Sequence, residues 1–320
     1  MSGRGWLRLG TWGVVVGELK NTFTWSYSRH GVFDECKRKY WLNHYGMWGG
    51  WARQGVPERT REIYIQKNLA TIPMWIGTVV HDAAEACLKS LVRRRLPQRE
   101  RVLEQALSRA RRDIQESREG AWRWDPKRKG AFQLHYYDLA EEPDHFAEAL
   151  DTIRAQIENL LESRIYRQMA RYPERILEVE ELLSIDVGGV SVWVKLDGLM
   201  RGKDGGVVVV DWKTGKSHSS ASVDRQLGVY GLYALQRWVQ EPEQIKAMHV
   251  NLREDEFRVF TMDQTQLDQT AAFIAESAGG MRALLQPYGE NVALEEDFPM
   301  REEGDPRCAR CRFRRTCNRE

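Results

Sequence analysis

No apolar run in the sequence approaches the roughly 18 residues that a membrane span requires, so no spanning helix is expected. Residues 1–20 alternate Gly, Arg and Trp around one short run, Val14-Val15-Val16, and lack the apolar stretch of a secretory signal. There is no Gly-x4-Gly-Lys-Ser/Thr phosphate loop, which leaves nothing to suggest an ATP-driven motor. Internal repeats and low-complexity segments are absent too. Charge of one sign is not in excess: 48 Lys and Arg face 46 Asp and Glu, a net +2. Bulk charge therefore argues for no nucleic-acid partner, and such a claim must rest on local clustering. Cysteine is scarce as well. Five in 320 residues cannot make a disulfide scaffold. Three of them, Cys308, Cys311 and Cys317, crowd the C-terminal end, while Cys36 and Cys87 lie far upstream. Clustered thiols without a secretion signal point to a reducing cytoplasm and a metal centre. What remains, 42% hydrophobic and 29% charged residues, is the balance of a soluble globular chain with a sizeable core.

The pattern along the chain changes near residue 173. Before it the sequence reads as helices. One runs from Ser26 or Ser28 to about Tyr45, with Phe33, Cys36, Tyr40 and Trp41 at helical spacing. A second follows Pro73, from Trp75 to about Arg94. Long charged helices are expected over 97–120 and 132–171, interrupted by a Trp-rich loop, Gly120 to Gly130. After it come strand signals. Ile176 to Val187 and Val190 to Met200 flank the hairpin glycines Gly188-Gly189, and Val207 to Val210 is an apolar run suited to a strand buried on both faces. A polar loop, Thr214 to Ser222, precedes a helix from about Asp224 to Val239. Strands Ile245–Leu252 and Phe257–Thr261 follow, then a helix from Asp263 to Leu285. The division expected is an N-terminal extension 1–24, a helical region 25–172, an α/β core 173–290 and a cysteine tail 291–320.

Five groups of residues carry chemistry. Asp197 and Asp211 end neighbouring strands, so a short turn can set the two carboxylates side by side. Like charges that close repel unless a cation lies between them, and hard carboxylate oxygens suit Mg2+ or Mn2+. Lys213, two residues beyond Asp211, shares its face in a strand and suits water orientation or phosphate neutralisation. His81, in Gly77-Thr78-Val79-Val80-His81, is a candidate third ligand, although a lone helical histidine is more often structural. Glu85, one turn on, is either a supporting acid or an exposed one. Gln226 and Tyr230 stand at i and i+4 on the helix after the Asp-x-Lys loop, sharing a face that suits a phosphodiester or simply a buried tyrosine. Cys308-x2-Cys311-x5-Cys317 supplies three ligands and implies a distant fourth. Cys36 is the better candidate, because Cys87 sits where a small buried thiol is ordinary. Ligand spacing alone leaves Zn2+ and [4Fe–4S] both open. Last, Lys89 to Lys129 holds 14 Lys and Arg against six Asp and Glu. Its loop Trp122-Arg123-Trp124 with Lys127-Arg128-Lys129 interleaves cations and aromatics, as single-strand binders do, although charge runs on helices are usually solvated faces.

Taken together, these residues resemble the RecB-like branch of the PD-(D/E)XK nuclease superfamily, and most of all its iron–sulfur members. Those are the CRISPR-associated Cas-four exonucleases and the nuclease domain of AddB. The matching pieces run in order from Cys36 through Gly77-x3-His81, Asp197 in Lys195-Leu196-Asp197-Gly198, Asp211-Trp212-Lys213 and Gln226-x3-Tyr230 to the cysteine tail, nearly the whole chain. Two departures stand out. The Arg that often follows the first acid is Gly198 here, and the stretch from Arg93 to Arg171 exceeds a minimal member. The resemblance implies an α/β fold: a restriction-endonuclease-like core with a mixed central sheet, a helical insertion and a helical cap stapled by an Fe–S cluster. It implies Mg2+ or Mn2+ on His81, Asp197, Asp211 and the Trp212 backbone carbonyl, with Lys213, Gln226 and Tyr230 completing a catalytic set. It implies a [4Fe–4S] cluster on Cys36, Cys308, Cys311 and Cys317, structural in role and closing a collar for one DNA strand. The activity implied is a metal-dependent deoxyribonuclease acting on single-stranded DNA or duplex ends. Two alternatives stay open: a CRISPR-adaptation nuclease trimming prespacers, with CRISPR-adaptation or recombination proteins as partners, and a catalytically silent nucleic-acid-binding Fe–S module.

Overall fold

The computed structural model describes residues 20–52, 54–142, 144–215, 220–287 and 290–320. Most of the N-terminal extension and the middle of the polar loop after Thr214 lie outside them. The helical half comprises α1 (Tyr27–Glu35), α2 (Lys37–Trp41), α3 (Glu58–Asn68), α4 (Ile72–Val92), α5 (Arg99–Arg118), α6 (Gln133–Tyr136), α7 (His145–Glu162) and α8 (Arg164–Arg171). The strands are β1 (Ile176–Glu178), β2 (Leu182–Val187), β3 (Val190–Lys195), β4 (Gly198–Arg201), β5 (Val207–Lys213), β6 (Ile245–Asn251) and β7 (Glu256–Thr261). Helices α9 (Ser220–Arg237), α10 (Gln264–Arg282) and α11 (Pro306–Ala309) complete the set.

The central sheet has the order β1-β4-β5-β6-β7 and is mixed: β5 and β6 are parallel, the other pairs antiparallel. Parallel strands need a crossover, and α9 supplies it. Two cores cover the sheet's faces. Val210, Trp212 and Met200 pack with α4, α5, α7 and α8 on one side. Val207, Val209, Leu199, Ile245 and Ala247 pack with α9 and α10 on the other. Because strand side chains alternate, Asp211 and Lys213 follow Val207 and Val209 to the α9 face. At Gly228 on α9 an added Cβ would lie 2.2 Å from Thr270 Oγ1 on α10. Gly228→Ala should therefore destabilise the fold by about 1–3 kcal/mol, the usual cost of overpacking. Thermal unfolding of the Gly228→Ala/Thr270→Ala pair should recover most of that loss, since the three nearest atoms all belong to Thr270.

Two expectations need correction. The strand reading of 176–187 and 190–200 is too continuous, because each run is broken. β2 and β3 leave the main sheet as a separate two-stranded hairpin, while β1 and β4 stay in it. The breaks fall at 179–181 and 196–197, and Glu180 adopts a left-handed φ of 53°. Second, the first helix does not run unbroken to Tyr45. Cys36 is extended (φ −164°, ψ 122°), ending α1 and capping α2, where its Sγ accepts from the Lys39 N–H at 3.4 Å. Periodicity cannot register such a break, because one extended residue between two helices leaves the apolar spacing nearly intact.

Candidate active site

The site forms where the hairpin departs from the main sheet. The break before β4 holds Asp197. Its Oδ2 accepts the Trp212 backbone N–H at 2.7 Å, which ties it to β5. The break after β1 holds Glu180, whose N–H bonds the Leu196 carbonyl at 2.9 Å. In a regular strand Glu178 and Glu180 would share a face. Instead Glu178 accepts from Tyr233 and Trp238 on the α9 side, and the left-handed Glu180 turns to α4. There His81 Nδ1 lies 3.3 Å from Asp197 Oδ1 and 3.7 Å from Glu180 Oε1. Each of these three residues offers a ligand atom within 4.8 Å of the others. Gly77, one turn before His81, lets α4 approach this edge: an added Cβ would stand 2.9 Å from Thr214 Oγ1. Glu85 turns away to Lys89.

Asp211 is held separately. Lys213 Nζ donates to its Oδ1 at 2.9 Å and to Gln226 Oε1 at 3.0 Å. Gln226 Nε2 donates to the Tyr230 hydroxyl at 2.7 Å, and that hydroxyl lies 3.5 Å from Asp211 Oδ1. The other carboxylate oxygen, Oδ2, is buried without a hydrogen bond, 3.4 Å from His249 Nδ1 on the neighbouring strand. Burial would raise the Asp211 pKa, but His249 and Lys213 outweigh it and hold the carboxyl below its ordinary range. Asp197 goes the other way. Burial, with the charges of Asp211 and Glu180, pushes it up against the pull of His81. Burial lowers His81, but Asp197 and Glu180 overcome this and raise it to about 10.

The donor set fits a divalent cation. Two carboxylates converge on one imidazole, and Asp211 adds an oxygen buried with no donor, the arrangement that a positive ion relieves. The sequence picked out His81, Asp197, Asp211, Lys213, Gln226 and Tyr230, and the structure gathers all six, but in two groups rather than one. Asp211 is outside the three-residue group that contains His81 and Asp197. Glu180 and His249 were missed. The signal for Glu180 was a run of acids, Glu178-Val179-Glu180-Glu181, inside a strand pattern; for His249 it was an imidazole in a strand buried on both faces.

The cysteines divide into two sets. Cys36, Cys308, Cys311 and Cys317 line one cavity with Phe313, Arg38 and Met300, whereas Cys87 is buried within α4. Burial and the neighbouring thiols push Cys317 up to about 11 against the pull of Arg38. Among the described residues the four sulfurs do not close into a ligand group within 4.8 Å. The basic loop needs correction. Trp122 is buried and donates to the Ser117 carbonyl, and Lys129 is paired with Glu116. Arg123, Trp124, Lys127 and Arg128 are exposed.

A family profile described as "PD-(D/E)XK nuclease superfamily" matches residues 24–318. No curated protein matches the chain. Among solved structures, one titled "Crystal structure of SSO0001" is similar, at 19% identity over 54% of this chain and 73% of its own, with a TM-score of 0.29.

Proposed function

Since this chain belongs to the PD-(D/E)XK nuclease superfamily, we propose that it is a Mg2+- or Mn2+-dependent deoxyribonuclease acting on single-stranded DNA or duplex ends. The observation that carries the reading is the convergence of His81, Asp197 and Glu180 beside Asp211, Lys213 and Gln226. His81 and Asp197, with Asp211, the Trp212 carbonyl and Glu180, would hold the cation. A bound divalent ion there would lower the pKa of water and neutralise phosphate charge. Lys213, fixed between Asp211 and Gln226, is placed to orient the attacking water or to meet a phosphate oxygen. Gln226 and Tyr230 present an amide and a hydroxyl to the same space and would position the phosphodiester. The test is cleavage of end-labelled single- and double-stranded DNA with Mn2+, with Mg2+ or with EDTA. Cleavage that persists undiminished in EDTA, or none with either metal, overturns the reading.

The reading extends to a structural [4Fe–4S] cluster on Cys36, Cys308, Cys311 and Cys317. It is supported by the single cavity that these four thiols line and that Cys87 does not share. Four thiolates could hold either one zinc or a polynuclear cluster, and the resemblance to iron–sulfur nucleases favours the cluster. Backbone N–H groups of Lys39 and Phe313 already point at Cys36 and Cys311 sulfurs, 3.4 Å away in both cases. Anaerobically purified protein should be brown. Cys36→Ala should bleach it, and Cys87→Ala should leave the visible absorbance intact. Colourless wild-type protein carrying one equivalent of zinc would decide for the other metal. A CRISPR-adaptation nuclease trimming prespacers, with the partner proteins that implies, is the alternative use of the same site.

A further inference from the structure

The helical half carries an aromatic surface that the cleavage site does not use. The chain leaves the π-helical turn Leu42–Gly46 into a tight loop where Trp48 and Trp51 stand 37% and 39% exposed. Their rings meet edge to face at 5.0 Å, and Trp51 makes a second such contact with Tyr64 of α3 at 6.4 Å. The loop lies hard against α3: a Cβ on Gly50 would stand 2.4 Å from the Tyr64 Cβ. A third tryptophan, Trp124, is 62% exposed on the loop between α5 and α6.

Arg61 of α3 holds the two loops together. Its Nη1 donates to the Gly50 carbonyl at 3.0 Å, and its Nη2 to the Arg123 and Trp124 carbonyls at 3.0 and 2.8 Å. The guanidinium also lies 5.6 Å over the Tyr64 ring. The three exposed indoles therefore stand on two loops that one guanidinium joins. An exposed indole ordinarily needs no explanation, but three on a stitched pair of loops form a surface.

The surrounding charge selects the occupant. Arg123, Lys127 and Arg128 are exposed, and Lys127 and Arg128 make no ion pair among the described residues. Burial above all, with Arg29, Lys127 and Arg312 adding to it, drives the Lys67 ammonium at the end of α3 down to about 8. Flat π-faces among unpaired cations match the stacked bases and phosphates of a single strand. The place suits the chemistry as well. The loop after Trp124 bridges Ala70 through Phe132, directly before α4 begins at Ile72. His81 follows ten residues after Thr71, about 15 Å along the helix axis.

We propose that Trp48, Trp51 and Trp124 are a base-stacking platform for single-stranded nucleic acid, delivering the strand along α4 to the cleavage site. The proposal rests on the nuclease reading for the strand's destination, not for its binding. The test is fluorescence anisotropy of a labelled 30-nucleotide oligo-dT with the full-length protein in EDTA, so that nothing is cleaved. Trp124→Ala and Trp48→Ala should each weaken binding about tenfold or more, within the range for one stacked base, and Trp→Phe should restore most of it. The salt dependence should keep its slope in the tryptophan variants. Lys127→Glu/Arg128→Glu should instead flatten it by roughly 0.7 for each phosphate that is no longer neutralised. Blunt duplex, with no free base faces, should bind the tryptophan variants as it binds the wild type. Unchanged oligo-dT affinity in Trp48→Ala/Trp124→Ala, with circular dichroism intact, overturns the platform and leaves the surface to a protein partner. An equal loss on blunt duplex overturns the stacking as well. Wild-type cleavage with Mn2+ is measured alongside. Cleavage with tryptophan-independent binding sinks the platform alone, and tryptophan-dependent binding without cleavage sinks the nuclease alone.

Discussion

Asp211→Ala protein should cut DNA slower by on the order of 10³-fold or more, while binding it within about threefold of the wild type. The expected size follows from removing a charge that the site presents to the reacting phosphate and its cation. Asp211 is buried, holds Lys213 at 2.9 Å and leaves its second oxygen without a hydrogen bond. Losing it frees the ammonium and removes that oxygen at once. Binding should survive because the exposed cations of the helical half are elsewhere. Lys213→Ala should fall nearly as far, since its Nζ is the cation that bonds both Asp211 and Gln226. Asp211→Asn separates charge from shape: it keeps the packing, and its activity should match that of Asp211→Ala. Nuclease activity in rigorously purified Asp211→Ala protein equal to wild type would end the assignment.

The second large effect concerns protons and the cation. In the cation-free protein the two carboxylates beside His81 overcome its burial and raise its pKa to about 10. A solvent-exposed imidazole loses its proton near 6.5. From about pH 6.5 to 10 the folded, cation-free site therefore carries a proton that an unfolded chain does not. That proton stabilises the cation-free fold fully below 6.5, and the contribution fades as pH rises towards 10. A cation taking the same nitrogen must expel it, so Mn2+ affinity should climb roughly tenfold per pH unit through this window. Calorimetric titration at pH 6.5, 7.5 and 8.5 reads this directly, without any cleavage assay. Glu180→Gln removes one of the two groups that hold the proton, so the slope should flatten even as the site loses a ligand. An affinity independent of pH over the same range would show that His81 does not take part.

Much of the site was legible because its residues occupy short spacings with local geometry. Asp211-x-Lys213 share a strand face, Gln226-x3-Tyr230 share a helix face, and Gly77-x3-His81 marks a helix that approaches something closely. The structure keeps each of these pairs on one face of its element. The spacing of the cysteine tail was legible for the same reason, and the structure lines one cavity with those three thiols and Cys36. Glu180 was not. Its role depends on one left-handed residue that turns it away from Glu178, and no periodicity records that.

The sequence by itself determined the succession of a helical half and a strand-bearing half, the mixed α/β character, the buried valine strand and the residue types able to hold a hard cation. Those follow from alternation, turn residues and ligand chemistry, all of which are local. It missed α3 and the breaks within the strand runs. Only the tertiary structure decided which acids meet. The hairpin's departure from the main sheet puts Glu180 and Asp197 on His81, and the parallel pairing of β5 with β6 sets His249 against Asp211. It also turned Trp122 inward and joined Trp48, Trp51 and Trp124 through Arg61. Contacts between residues tens of positions apart are set by how sheets and helices pack, and the pattern of any one segment carries no record of that.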